Sequence, residues 1–160
     1  MFDSVLDAVV SCLQSNSISA VRKYPGCVLD RNSAAVAVSL KSGSLTASGC
    51  GNYLGICDSG GTVKELYGSR AELKIGIEIY TPAADGHAEA ECVSLLGDIC
   101  TCVGDIQGIK LKSFENGEAE YDTETEMFRC ESVLSVTAFM VRQADECGGF
   151  TDFVLRGELK

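Results

Sequence analysis

The chain contains one histidine, His87, among its 160 residues. A metal centre would have that single imidazole to complete it, and a catalytic thiol would have no other imidazole base to draw on. Basic residues are also few: 13 Lys and Arg stand against 23 Asp and Glu, giving a formal charge of −10 and a pI near 4.5. They are scattered, which argues against the clustered basic surface that a phosphate backbone requires, so no specific nucleic-acid binding is expected. No apolar run approaches the roughly 20 residues needed to span a bilayer, and no membrane partner is expected. Met1-Phe2-Asp3-Ser4 places an acid where a signal peptide carries bases, so export by that route is not expected either. The glycines between Gly43 and Gly61 lack the Lys-Ser or Lys-Thr of a phosphate loop. No catalytic motif is present, and the expectation is a protein without cofactor, metal or enzymatic activity.

Cysteine, by contrast, is abundant. Nine are spread over positions 12, 27, 50, 57, 92, 100, 102, 130 and 147. Their number is odd, and Cys12, Cys92, Cys100 and Cys130 fall in apolar periodic segments, where a free thiol serves as a small hydrophobe. That is the usage of a reducing cytosol. Cys100-Thr101-Cys102 has one residue between its thiols, not the two of a redox dithiol or a zinc knuckle. Cys50, Cys57 and the Cys100–Cys102 pair matter chemically only in an alternative of another class, a small cytosolic thiol-dependent enzyme or binding protein.

The strongest structural signal is the alternation from Ala71 to Tyr80. Leu73, Ile75, Ile77 and Ile79 fall on one face and Glu72, Lys74 and Glu78 on the other, which predicts a strand with one buried and one wetted side. Thr81-Pro82 stops it. The segment begins at Thr62, with a hairpin bend or a bulged single strand at Gly68-Ser69. Upstream, Phe2, Val5, Leu6, Val9 and Leu13 predict an amphipathic helix from Phe2 to Gln14. A strand from Ile18 to Tyr24 ends at Pro25-Gly26. Another, from Ala34 to Lys41, sets Val36, Val38 and Leu40 against the small Ala35, Ala37 and Ser39. The glycine-rich stretch from 43 to 61 predicts a loop or hairpin without a long regular element, with Asp58-Ser59-Gly60-Gly61 as an exposed tip.

A second helix is expected from about Gly86 to Val103, capped by Asp85 or begun by an earlier turn at Thr81 before Pro82, with Ala90, Val93, Leu96, Cys100 and Val103 on its apolar stripe and Gly104-Asp105 at its end. A strand from Ile109 to Glu115 leads to Asn116-Gly117, a two-residue hairpin signal, and to a strand from Glu118 to Tyr121. Residues 122 to 126 predict a solvated turn. Next come a long strand from Met127 to Arg142, a loop from Asp145 to Gly149 and a last strand from Phe150 to Leu159. The alternating carboxylates at 118, 120, 122, 124 and 126 read as an edge that resists self-pairing, in preference to a cation site. No linker or repeat divides the chain. Residues 1–160 are expected to form one α+β domain, a mixed, mainly antiparallel sheet with two helices packed on one face and the other face left for partners.

With these elements placed, the chain resembles the tail terminator and related minor tail proteins of long-tailed phages, prophages and phage-tail-like bacteriocins. The resemblance includes an N-terminal helix and covers most of the chain from Ala34 onward. It is carried by Tyr53-Leu54-Gly55, by Glu65-Leu66-Tyr67-Gly68-Ser69-Arg70 opening the strand to Ile79-Tyr80, by Gly117-Glu118-Ala119-Glu120-Tyr121-Asp122, and by the strand through Phe128-Arg129-Cys130 to Val141. It implies a tail-terminator-like subunit that forms a homo-oligomeric ring of six on the head-proximal end of a tail tube. Such a ring stops polymerisation and offers a collar surface to a head connector, and to the sheath where the tail contracts. The implied setting is assembly in a bacterial cytoplasm into a virion or tail-like particle; a tail completion or connector protein is the nearest alternative. Candidate subunit or tube contacts are Tyr53, Leu54, Glu65, Tyr67, Arg70, Glu72, Lys74, Glu78, Glu118, Glu120, Asp122 and Arg129. Within this set, the wetted face of the 71–80 strand and the 127–142 strand are assigned to neighbouring subunits. The 43–61 and 116–126 segments are assigned to the tube.

Overall fold

A computed structural model describes residues 2–23, 30, 32–59, 61–83, 87–144 and 150–156. The expected breaker at Pro25-Gly26, the Asp85 cap, the loop from Asp145 to Gly149 and the strand end at Leu159 lie outside the described residues. Helix α1 (Phe2–Ser15) buries Val5, Leu6, Val9, Val10 and Leu13. Ser17, at φ 63°, turns the chain left-handed after it, and the Ile18 N–H closes onto the Leu13 carbonyl at 3.0 Å. Ile18 and Leu13 both enter the core, completing the hydrophobic contact that accompanies this kind of helix stop.

The remaining elements are β1 (Ala20–Arg22), β2 (Ala35–Ala47), a 3-10 turn (Cys50–Asn52), β3 (Tyr53–Ser59), β4 (Thr62–Pro82), α2 (Ala88–Gly104), β5 (Ile109–Asp122), β6 (Met127–Ala144) and β7 (Phe150–Arg156). They form an α+β fold with a seven-stranded sheet in which β1 runs parallel to β2 and every other pairing is antiparallel. Strand β4 is the axis. On one flank β2 pairs with residues 69–80 and β3 with 62–67, while on the other β6 pairs with 66–82. Strand β6 in turn carries β5 on residues 127–138 and β7 on 139–144. The sheet therefore has two tiers along its strands. Both helices pack on one face of the first tier, against Val36, Val38, Leu73, Ile75, Ile77, Ile79, Leu134 and Val136. Burying such aliphatic side chains contributes about 2 kcal/mol each, and this is the main core.

Four expectations change. Residues 62 to 82 form one continuous strand, and its pairing with β6 has no bulge at Gly68-Ser69. Gly68 instead permits close approach, since a Cβ there would collide with the Met140 carbonyl oxygen and crowd Leu54. The glycine-rich stretch is more regular than expected, because β2 continues to Ala47 and β3 returns along β4. Gly43 lies under the Phe2 ring, while Gly49, Gly51, Gly55 and Gly61 take positive φ at the bends and the β3 irregularity.

Asn116-Gly117 is not a hairpin. Strand β5 passes straight through it with a register irregularity, and the reversal comes at residues 122–126. The Asn116 side-chain oxygen accepts hydrogen bonds from Ser132 Oγ at 2.9 Å and Cys130 Sγ at 3.1 Å, tying the irregularity to β6. Asp122 nucleates the real turn by accepting from the Glu124 N–H at 3.0 Å and the Thr125 hydroxyl at 2.9 Å. The buried stripe of α2 is Ala88, Cys92, Leu96, Ile99, Cys102 and Val103, leaving Ala90 exposed and Val93 61% exposed. This helix is apolar around most of its circumference, so spacing alone does not choose between the two stripes.

Replacing Gly68 with Ala is expected to destabilise the protein by about 2–3 kcal/mol, because the nearest obstruction is the Met140 backbone, which no rotamer change relieves. Urea denaturation of the two proteins reads this directly, and equal midpoints would refute the close-approach role of Gly68.

Candidate functional site

The sheet face opposite the helices carries a ladder of charges. Glu78 stands at its centre, fully buried. Lys23 Nζ, just past β1, donates to Glu78 Oε1 at 2.5 Å, Arg129 Nη2 on β6 lies 3.0 Å from the same oxygen, and the Tyr80 hydroxyl donates to Oε2 at 2.8 Å. Strand register sets Glu78 directly opposite Glu131. Arg129 bridges the two acids, 3.2 Å from Glu131 Oε1, and Lys41 closes the row on Glu131 at 3.1 Å. Burial alone raises the Glu78 carboxyl, but the hydrogen bonds from Lys23, Tyr80 and Arg129 outweigh it and bring the pKa down to about 2. Burial, reinforced by the neighbouring Glu78 carboxylate, pushes the Tyr80 phenol up to about 12.

Glu78 thus corrects the expected wetted face. Its parity is as expected, yet Ala35, Ala37, Tyr80 and Met127 are buried beside it, with Val21 packed on the last three. The small side chains of β2 leave room for the cover. Further along the same face the strand is wet, as expected: Glu72 and Lys74 are exposed, and Glu72 pairs with both Arg70 and Lys112 at 2.8 Å. Lys112 chiefly, then Arg70, holds the Glu72 carboxyl below the usual carboxylate range.

Beside Arg129 lies an open cleft of about 350 Å³ lined by Gly117, Glu118, Glu120, Tyr121, Asp122, Thr123, Arg129 and Glu131. The candidates Glu118, Glu120, Asp122 and Arg129 therefore meet, with Glu120 directly across from Arg129 in register. No group of acids, thiols and imidazole with the geometry of a metal site occurs among the described residues.

A second group occupies the far tier. Tyr53 and Tyr67 pair in register with ring centroids 5.7 Å apart, and the Tyr67 hydroxyl donates to Glu65 at 2.6 Å. Leu54 lies against Gly68 on the opposite face. Glu65 and Glu78 are thirteen residues apart on one strand, roughly 40 Å, so the candidate residues form two groups with Arg70, Glu72 and Lys74 between them. The sequence argument missed Lys23, Lys41, Tyr80 and Glu131 in the ladder, and Leu45, Ile56 and Val63 in the far tier. Ile56 and Val63 lie near the end of the β3–β4 pairing and were open to discovery by their position; Lys23 sits 55 residues from Glu78 and was not.

The described cysteines, 12, 50, 57, 92, 100, 102 and 130, are all free thiols. Burial pushes Cys92, Cys100, Cys102 and Cys130 upward, away from the thiolate form that nucleophilic chemistry needs.

Because the folded-state pKa of Glu78 lies below its ordinary 4.5, the cluster contributes fully above pH 4.5 and loses its contribution as pH falls towards 2. Glu78→Gln is expected to cost about 3 kcal/mol at neutral pH, since it leaves two cations without their shared partner, and to flatten the stability change across that acid window. Denaturant titrations at several pH values measure both, and an unchanged acid limb in the variant would contradict the role given to Glu78. No protein-family model matches the chain and no curated protein matches its sequence, so the residues and their geometry carry the functional argument.

Proposed function

We propose that this protein is a structural assembly subunit of the tail-terminator kind, forming a ring that caps the head-proximal end of a tail tube and ends its growth. The observation that carries the proposal is a sheet far longer than its helical cover. Its far tier leaves Leu45, Tyr53, Ile56 and Val63 between 44% and 65% exposed on the face that the helices protect elsewhere. A free-standing domain has no use for such a surface, whereas a subunit that is completed by assembly does.

Charge fits the same role. A chain at −10 repels its own copies in solution and delays self-association until a partner supplies a favourable surface. The sequence resemblance supplies the geometry of the ring and names tube, sheath and head connector as its neighbours. No observation favours a thiol enzyme.

Light scattering under reducing conditions, with and without the tail tube of the parent particle, followed by negative-stain imaging, tests the proposal. The expected species is a closed ring, about 100 kDa for six copies of the 16.9 kDa chain, alone or at tube ends. A protein that stays monomeric in the presence of tube would overturn it.

A further inference from the structure

We infer that Cys12 and Cys102 are a thiol pair that closes into a disulfide between the two helices, a clamp that a small disulfide such as oxidised glutathione shuts and free thiols reopen. Cys12 lies in the last turn of α1 and Cys102 in the last turn of α2, and both are free thiols in the reduced chain. The Cys12 thiol donates to the Cys102 carbonyl oxygen, Sγ to O 3.4 Å, across the seam between the helices. Standard bond lengths then hold the two Cα atoms to at most about 9 Å apart. A disulfide takes Cα atoms roughly 4.4–6.8 Å apart, so closure needs side-chain rotation and a helix shift of no more than about 2 Å.

Burial sets the order of the chemistry. Cys12 is half-buried and open to a small oxidant, and the Asn16 side-chain amide donates to its sulfur at 3.9 Å. Cys102, 8% exposed, is shielded from solvent and reacts through Cys12. The Cys12 thiolate attacks one sulfur of oxidised glutathione, forming a mixed disulfide and releasing one glutathione thiolate. Cys102 then gives up its proton and attacks the Cys12 sulfur, forming the Cys12–Cys102 bond and expelling the second glutathione. Two protein thiols are oxidised and one glutathione disulfide is reduced to two thiols. The Cys102 thiol is pushed up by burial and next by the charge of a Cys12 thiolate, which makes this second attack the slow one, whereas Cys100, two residues away, is pushed up by burial alone. Cys92 and Cys130 are too deeply buried for an oxidant to reach. The bond joins residues 90 apart in sequence, a long loop of the kind whose closure constrains the unfolded chain strongly. In a reducing compartment the clamp stays open, and on passage to an oxidising one it locks the helical cover of the first tier. It requires only the folded chain and stands whether or not the subunit forms a ring.

Treating the reduced full chain with oxidised glutathione, then alkylating, digesting and mapping the peptides by mass spectrometry, tests the clamp. A glutathione adduct on Cys12 should appear first and give way to a Cys12–Cys102 crosslink within one chain. The oxidised protein should melt about 10 °C above the reduced one, and dithiothreitol should restore the original melting curve. Cys12→Ser alters a half-buried position and keeps a donor there, so it is expected to melt like the reduced wild type while losing both the crosslink and the oxidant-induced rise. Cys50→Ser, which removes an exposed thiol outside the pair, should keep both. A Cys12 adduct that persists without a crosslink, or a bond from Cys12 to Cys100 or to another chain, would overturn the inference. So would a crosslinked chain that melts no higher than the reduced one, or a rise that survives in Cys12→Ser.

Discussion

Strand β4 runs 21 residues, which at about 3.3 Å per residue is on the order of 70 Å, whereas the longer helix, α2, has 17 residues and rises only about 26 Å. Most other features follow from that mismatch. A strand buried at one end by helices cannot be covered by them at the other. Two strands in succession, β2 then β3, line one flank of β4, while β6 runs along the other and is itself lined by β5 and then β7. Hydrogen bonding along the sheet is thereby continued beyond the helices, while the apolar strip on its far tier is left in water. Gly68 sits near the junction of the tiers, where β4 and β6 approach too closely for a side chain.

The face away from the helices is stabilised differently. Three strands meet at Glu78, which is buried and yet remains ionised because Lys23, Tyr80 and Arg129 all donate to it or pair with it. An acid opposite an acid would normally weaken a sheet, and here Glu78 opposes Glu131. Arg129 turns that repulsion into a bridge. The arrangement anchors the short parallel strand β1, whose own pairing spans only three residues, to the centre of the sheet. It also puts the first tier's rigid charge cluster next to the acidic cleft, at the end of the molecule opposite the apolar strip.

The sequence made the first tier legible because its strands are buried on one side. Alternation from Leu73 to Ile79 and the spacing in α1 both survive in the structure, since one face of each meets the same core. The α+β class and the placement of both helices on one face were legible for the same reason. The far tier was obscured because the face continuing the helical side is bare there, the buried Leu66 and Val141 lie on the other face without an alternating run around them, and glycines at its bends resembled a loop. Asn116-Gly117 carried a strong turn signal that side-chain bonds to Ser132 and Cys130 override. Glu78 illustrates a different limit. Its side of the strand followed from parity, but its burial depended on partners distant in the chain, Lys23 and Arg129, that no local pattern joins to it.

Hydrogen exchange tests most directly the claim that the far tier is a sheet left incomplete until a partner covers it. In the free chain, amides of residues 63–67 are expected to exchange at least about a hundredfold faster than those of residues 75–79, and to slow markedly in the assembled state proposed above. Equally slow exchange in both stretches of the free chain, unchanged on assembly, would contradict the account.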